Sequence, residues 1–176
     1  MDRLILKTPC FEDEEEVLRF KEEFLASGQR VAGFSGLDKM SFEKWLEKVK
    51  NDMSKNTCGE GRVPATHFLV FRISDNKLVG MVQVRHELNE YLLNFGGHIG
   101  DCVRPCEQGK GYATEQIGLA LDFCRKIGLK RVLITCRKDN IASAKTIIKN
   151  GGVLENEIPN PSENEVLMQR YWIELN

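Results

Sequence analysis

"RPCEQGKGYATEQIGLALDFCRKIG", residues 104–128, sets two glycines and a lysine directly before a long amphipathic run. Ala113, Ile117, Ala120, Leu121, Cys124 and Ile127 recur at steps of three and four, with Glu115, Gln116, Asp122, Arg125 and Lys126 assigned to the outer face. The spacing predicts a helix with one apolar side, stopped by Gly128. The first turn of a helix carries backbone N–H groups that have no partner and bear partial positive charge. A glycine-rich turn leading into it is therefore a cradle for a phosphate group, with Gly109 and Gly111 letting the backbone approach closely.

Outward from this segment the pattern is regular. "GHIGDCV" before it reads as a strand ending at Pro105, and "KRVLITC" after it as a strand apolar throughout, as expected when both faces are covered. "DNIASAKTIIKNGG" follows as a short helix capped by Asp139 or Asn140, with Ile141, Ala144, Ile147 and Ile148 inward and Gly151 and Gly152 closing it. Upstream lie a short strand "RLILK", an acidic helix "FEDEEEVLRFKEEFLAS" and a glycine-punctuated loop "GQRVAGFSGLDKM". A second helix, "SFEKWLEKVKND", has Ser41 as N-cap and Phe42, Trp45, Leu46 and Val49 on one face. "THFLVFRI" and "KLVGMVQVRHEL" flank "SDN" as a hairpin, and "NEYLLNFG" reads as a short helix or a loop. Two strands, "GVLENEI" and "VLMQRYWIEL", complete the chain around "PNPSEN". The order β α α β β β α β α β β predicts one α/β domain over 1–176, built on a single mixed, mostly antiparallel sheet flanked by helices.

Composition narrows the function classes. At 41% hydrophobic and 29% charged residues, the chain is that of a globular protein rather than a disordered one. The N-terminal stretch "MDRLILKTPCFEDEEEV" has neither the apolar core of a signal peptide nor a membrane span, so a cytoplasmic location is expected. The six cysteines and three histidines show no metal-ligand spacing, and no metal site is expected. With a pI near 6.3 and no basic, aromatic-interleaved face, nucleic acid and membrane are not expected as partners. Residues 104–149 nevertheless carry ten Lys/Arg against four Asp/Glu, a local balance of +6 in a chain of net charge −1. A small polyanion would use that contrast.

Spacing separates the phosphate-binding designs that share the glycine logic. A Walker A loop would need glycine where Arg104 stands and Ser or Thr where Gly111 follows Lys110. A dinucleotide fingerprint would need a third glycine where Thr114 stands and an acidic residue ending a parallel strand. The pattern Q/R-x-x-G-x-G/A is met by Gln108, Gly111 and Ala113. On that loop, with Asn140 at the end of the next strand and the cassette from His98 to about Val153, the chain resembles the GNAT superfamily of N-acetyltransferases, in a RimI-like form with the acceptor unassigned.

The resemblance implies an acetyl-CoA site with a pyrophosphate-binding loop before the long central helix. The backbone N–H groups of Gln108, Gly109, Lys110, Gly111, Tyr112, Ala113 and Thr114 would hold the pyrophosphate. The pantetheine arm would pair with Cys102 and Val103 and take a hydrogen bond from Asn140, with Ser143 in the same binding set. Lys110, Lys138 or Lys145 would meet the remaining phosphate charge. Catalysis in such a site is mainly positioning, with a base that takes the ammonium proton of the amine. The candidate bases are Glu87 and His98, with His86 third. Many relatives place a tyrosine seven residues after the Asn140 equivalent to protonate the departing thiolate, and this chain has Ile147 there. Tyr112, read as pointing outward, and Tyr171 are the remaining phenols, and solvent is the other proton source.

The expected activity is acetyl transfer from acetyl-CoA to a primary amine of a small molecule or a protein N-terminus. The rival is a CoA-binding sensor or structural module without chemistry, which Ile147 alone supports; the broken Walker pattern disfavours a nucleotide hydrolase. The acceptor should lie under "RVAGFSGLDKMSFEKW" and near "HELNEYLLNFGG", where acidic Glu43, Glu87 and Glu90 would suit a cationic small molecule or a protein N-terminus. A homodimer is left open.

Overall fold

Side-chain alternation along the strands sorts the apolar residues into two cores, one on each side of the first sheet. The computed structural model describes residues 3–175. Its strands are β1 (Leu4–Lys7), β2 (Ala65–Arg72), β3 (Lys77–Arg85), β4 (Ile99–Val103), β5 (Arg131–Arg137), β6 (Val153–Asn160) and β7 (Val166–Glu174). The helices are α1 (Glu14–Ala26), α2 (Phe42–Asn51), α3 (Tyr112–Lys126) and α4 (Ile141–Lys149), in the order that the sequence patterns predict. Among the described residues no helix is long and apolar enough to cross a membrane.

The expectation of one mixed sheet is corrected. There are two sheets, β1-β2-β3-β4 and β5-β7-β6, and every pairing within them is antiparallel. They meet at one point. His98 N donates to Leu133 O at 2.7 Å, and Leu133 N donates to the imidazole Nδ1 of His98 at 2.9 Å. Gly97 makes that approach possible, since its φ is +63° and a Cβ there would sit 2.6 Å from Leu133 O. Beyond this pivot β4 and β5 share no ladder, and a cleft lies between them.

On one face, Val82, Val84, Ile99 and Val103 pack with Ile117, Ala120 and Leu121 of α3 and with Val132 and Ile134 of β5. On the other, Leu69, Phe71, Met81 and Cys102 pack with Phe20 and Phe24 of α1 and Trp45 and Leu46 of α2. Two-sided cover explains why β2 and β3 read as nearly continuous apolar runs. Ser41 caps α2 as expected, its side chain accepting from Lys44 N. Trp45 is fully buried and donates from Nε1 to Phe34 O at 2.8 Å, which fixes the α1–α2 loop over the cleft. Burying a side chain of this size contributes roughly 1.5–3 kcal/mol, so the loop is anchored rather than loose.

Several faces differ from their sequence assignment. In α4, Ala144 and Ile147 are buried, but Ile141 and Ile148 are more than half exposed. A helix of 9 residues lying on a sheet covers only a narrow stripe. In α3, Gln116 faces inward and is fully buried. "NEYLLNFG" contains a π-helical turn, Leu92–Gly96.

Candidate active site

The cleft has two ends. A cavity of about 480 Å³ runs along the loop before α3 and is walled by Gln108, Gly109, Gly111, Tyr112, Ala113 and Thr114 together with Cys102, Val103, Asn140 and Ser143. A second cavity, of about 530 Å³, continues it beneath the α1–α2 loop and past Gln83, Arg85, Tyr91 and Phe95. Asp101, Asn140 and Ser143 line both, so the junction lies at the middle of β4.

Gly109 and Gly111 adopt φ of +79° and +84°, the left-handed region that favours glycine. Gly111 is the N-cap of α3. Among the described residues, the amides of Gly109, Lys110, Gly111, Tyr112, Ala113 and Thr114 find no partner within the protein. Six donors are therefore aimed from one turn. The loop is pinned from behind: Glu107 is buried and binds Arg72, Lys77 and Lys110 at 2.7–2.8 Å. Hydrogen bonds from Lys110, Lys77 and Arg72 hold the Glu107 carboxyl at about 2, well below the usual range. Arg104, fully buried, binds Glu23 of α1 at 2.6 Å and ties the loop's other end. Tyr112 is buried rather than outward, with the Arg3 guanidinium 4.8 Å above its ring and Arg72 Nη1 donating to its hydroxyl at 3.2 Å.

The register fixes which β4 groups face the cleft. Arg85 N bonds His98 O and Arg104 N bonds Val79 O, so by alternation Gly100 and Cys102 direct their backbone to β3. Asp101 and Val103 turn theirs to the open edge. Cys102 thus borders the loop cavity without offering a backbone group at the open edge, and its side chain packs in the α1/α2 core. The Val103 carbonyl accepts from Gln108 Nε2 at 3.1 Å. Gly33 presses on the same edge, where a Cβ would lie 3.0 Å from Asp101 Cα. Asn140 caps α4, its Oδ1 accepting from Ser143 N at 3.1 Å, which leaves Nδ2 uncommitted.

The sequence-based bases lie elsewhere. Glu87 is at the surface beside Lys55, 3.1 Å away, and lines neither cavity. His98 is buried at the pivot with Nδ1 occupied, and burial lowers its pKa to about 4. His86 bonds Thr66 on the α3 side. The basic segment is also largely neutralised: Lys110 is held by Glu107, Lys138 by Glu157 and Arg137 by Asp139. Lys145 and Lys149 line the loop cavity.

Asp101 was not singled out in the sequence. Asp101 lines both cavities, and its carboxylate accepts from Gln116 Nε2 at 2.7 Å. Burial pushes its pKa up to about 6, against the hydrogen bond from Gln116. Gln116 reaches it across Gly80, where a Cβ would come within 2.3 Å of Gln116 Oε1. A carboxylate poised near neutrality, enclosed in a cleft, is suited to taking a proton.

Ile147 is fully buried in the α3-side core, and the face of α4 at the cavity carries Ser143, Thr146 and Lys149. Ile147→Tyr is therefore expected to overpack the core and lower stability by about 1–3 kcal/mol without raising turnover. Thermal melting and a thiol-release assay check this; faster turnover would put position 147 at the cleft.

A family model for the acetyltransferase (GNAT) domain matches residues 3–153. The chain belongs to this family and is an acetyl-CoA-dependent N-acetyltransferase. No match was found among curated proteins. Solved structures share the fold. An acetyltransferase from Salmonella typhimurium that modifies the N-terminal serine of a 50S ribosomal-subunit protein is 18% identical with TM-score 0.71, over 100% of this chain and 97% of that one. The spermidine/spermine N-acetyltransferase SpeG from Vibrio cholerae is 18% identical with TM-score 0.67, over 98% and 94%. The Microcin C7 self-immunity acetyltransferase MccE, in complex with acetyl-CoA and AMP, is 18% identical with TM-score 0.68, over 99% and 93%.

Proposed function

We propose that acetyl-CoA lies along the open edge of β4 with its pyrophosphate on the loop before α3, and that Asp101 serves as the base toward a primary amine entering from the opposite end. The six unpartnered amides of one turn, five of whose residues line one cavity with Asn140 and Ser143, carry this reading. Lys145 and Lys149, rather than Lys110 or Lys138, supply cations to the phosphates. The pantetheine arm pairs with the outward backbone of Asp101 and Val103 and receives a hydrogen bond from Asn140 Nδ2.

The ammonium proton of the entering amine first goes to the Asp101 carboxylate; the free amine then attacks the thioester carbonyl, forming the C–N bond as the C–S bond breaks, and the nitrogen releases its second proton to solvent. The CoA thiolate takes its proton from solvent, which a thiol pKa of about 8.5 permits near neutrality. The neighbours' acceptors, a ribosomal-protein N-terminus and a polyamine, support a primary amine as the reacting group.

Gly111→Val tests the CoA assignment. Its φ of +84° is hostile to a β-branched residue, so valine forces the turn out of the conformation that presents its amides. CoA affinity is expected to fall by about 2 kcal/mol or more, the worth of a charge-assisted contact. Calorimetry on the folded variant reads this directly; unchanged affinity would remove the loop from the site.

A further inference from the structure

Five arginines of the described residues are buried or partly buried. Four have carboxylate partners: Arg72 with Glu107, Arg104 with Glu23, Arg137 with Asp139, and Arg170 with Glu155. Arg85 has none. Its Nη1 donates to the carbonyls of Gly96 and Gly97 at 2.9 and 3.0 Å, which orients the guanidinium and leaves Nε and Nη2 without an acceptor. An enclosed cation without a counterion is costly to a fold, and burial lowers the Arg85 pKa with no carboxylate opposing it. Arg85 stands where the 530 Å³ cavity meets a neighbouring cavity of 460 Å³, so its free donors face space that a ligand can fill.

The other charges of this end do not answer it. Glu163 is taken by Arg30, Asp52 by Lys48 and Arg62, and Asp101 is bonded to Gln116. Asp38 and Lys39, adjacent on the turn Leu37–Lys39, bring one charge of each sign to the rim of this cavity. Tyr91 and Phe95, ring centroids 5.8 Å apart, form an apolar wall beside Arg85.

We infer that the acceptor is an amine that also carries an oxyanion group, a carboxylate or a phosphate, and that Arg85 binds this group through its free fork. The inference rests on the assignment of the cleft as the acetyl-transfer site and adds the class of acceptor. A Cβ on Gly100 would lie 3.5 Å from Arg85 Nη2, on the face of β4 opposite to the Asp101 side chain, so the acceptor must reach round the open edge of β4 from Arg85 to Asp101. Arginine suits the role because its planar donors match both oxyanions bidentately. The acidic residues that pointed to a cationic acceptor do not line this end: Glu43, Glu87 and Glu90 are all exposed outside it.

The test is thiol release from acetyl-CoA with matched acceptors: phenylalanine and its methyl ester, 2-aminoethyl phosphate and ethanolamine, and spermidine. The anionic member of at least one pair should be favoured by about 10- to 100-fold in kcat/KM, the worth of a charged hydrogen bond. The pair that shows the preference distinguishes carboxylate from phosphate. Arg85→Gln should raise KM for that acceptor by a similar factor and erase the preference, with kcat changing less and CoA affinity unchanged by calorimetry. Arg85→Lys, which keeps the charge but loses the fork, should fall between and guards against a folding defect. Equal or better turnover of the ester, ethanolamine or spermidine overturns the inference, as does an inert anionic set. In those cases CoA binding by the wild type leaves the acetyl-transfer site standing, whereas failure to bind CoA sinks that assignment instead.

Discussion

An Asp101→Asn variant is expected to bind acetyl-CoA as the wild type does and to turn it over about 10²–10⁴-fold more slowly, the usual worth of a general base. Asparagine keeps the shape and the contact with Gln116 while removing the proton acceptor. The pH profile gives a second readout. With the Asp101 carboxyl at about 6, kcat/KM of the wild type should fall as pH drops through that value, and the residual rate of the variant should lack this limb. Stability should move the other way. Because the folded carboxyl is raised above its unfolded value of about 3.9, folding favours the protonated form, and its contribution is lost as pH rises from about 4 to 6. At neutral pH the variant should be no less stable than the wild type. Full activity in Asp101→Asn would remove the base assignment and leave a water relay.

Acid should open the pivot between the sheets. His98 accepts a hydrogen bond at Nδ1 from Leu133 and must be neutral to do so. Its folded pKa of about 4 lies below the unfolded value of about 6.5, so stability is full above 6.5 and is lost progressively as pH falls toward 4. The loss amounts to about 3 kcal/mol for this residue. His67, buried and lowered to about 3, acts in the same direction. His98→Asn offers an oxygen to Leu133 and takes up no proton in this range. Urea unfolding of both proteins at several pH values isolates the pivot: the variant should lose about 3 kcal/mol less between pH 7.5 and 4. Equal slopes would mean that His98 is not responsible.

The elements were legible because each is a local pattern, and all eleven helices and strands stand in the predicted order. The division into two sheets was not. Alternation in "GHIGDCV" and "KRVLITC" says which residues are covered but not which strand lies alongside, and the point where the sheets touch is made by the amide and the imidazole of His98. The glycine loop was legible because its backbone demands leave a mark in residue type. Asp101 left a fainter one, a lone acid within an otherwise apolar strand. Gln116 lies three residues after Ala113 and four before Ala120, so the helical period itself put it on the inner face; its polarity misdirected the reading. Arg85 carried no signal, since its significance is the lack of a carboxylate neighbour in three dimensions.

In the second sheet β7 stands between β5 and β6, so its last-made strand is its middle one. During synthesis, β5 and β6 therefore emerge with unsatisfied edges before the strand that lies between them. The first sheet, whose strands are all complete by residue 103, can already be closed at that stage. Until residues 166–174 arrive, the nascent chain holds half of the cleft beside two exposed strand edges, a state open to wrong pairing with other chains. The α1–α2 wall is ready early, and the wall that carries Asn140 is completed only at the end.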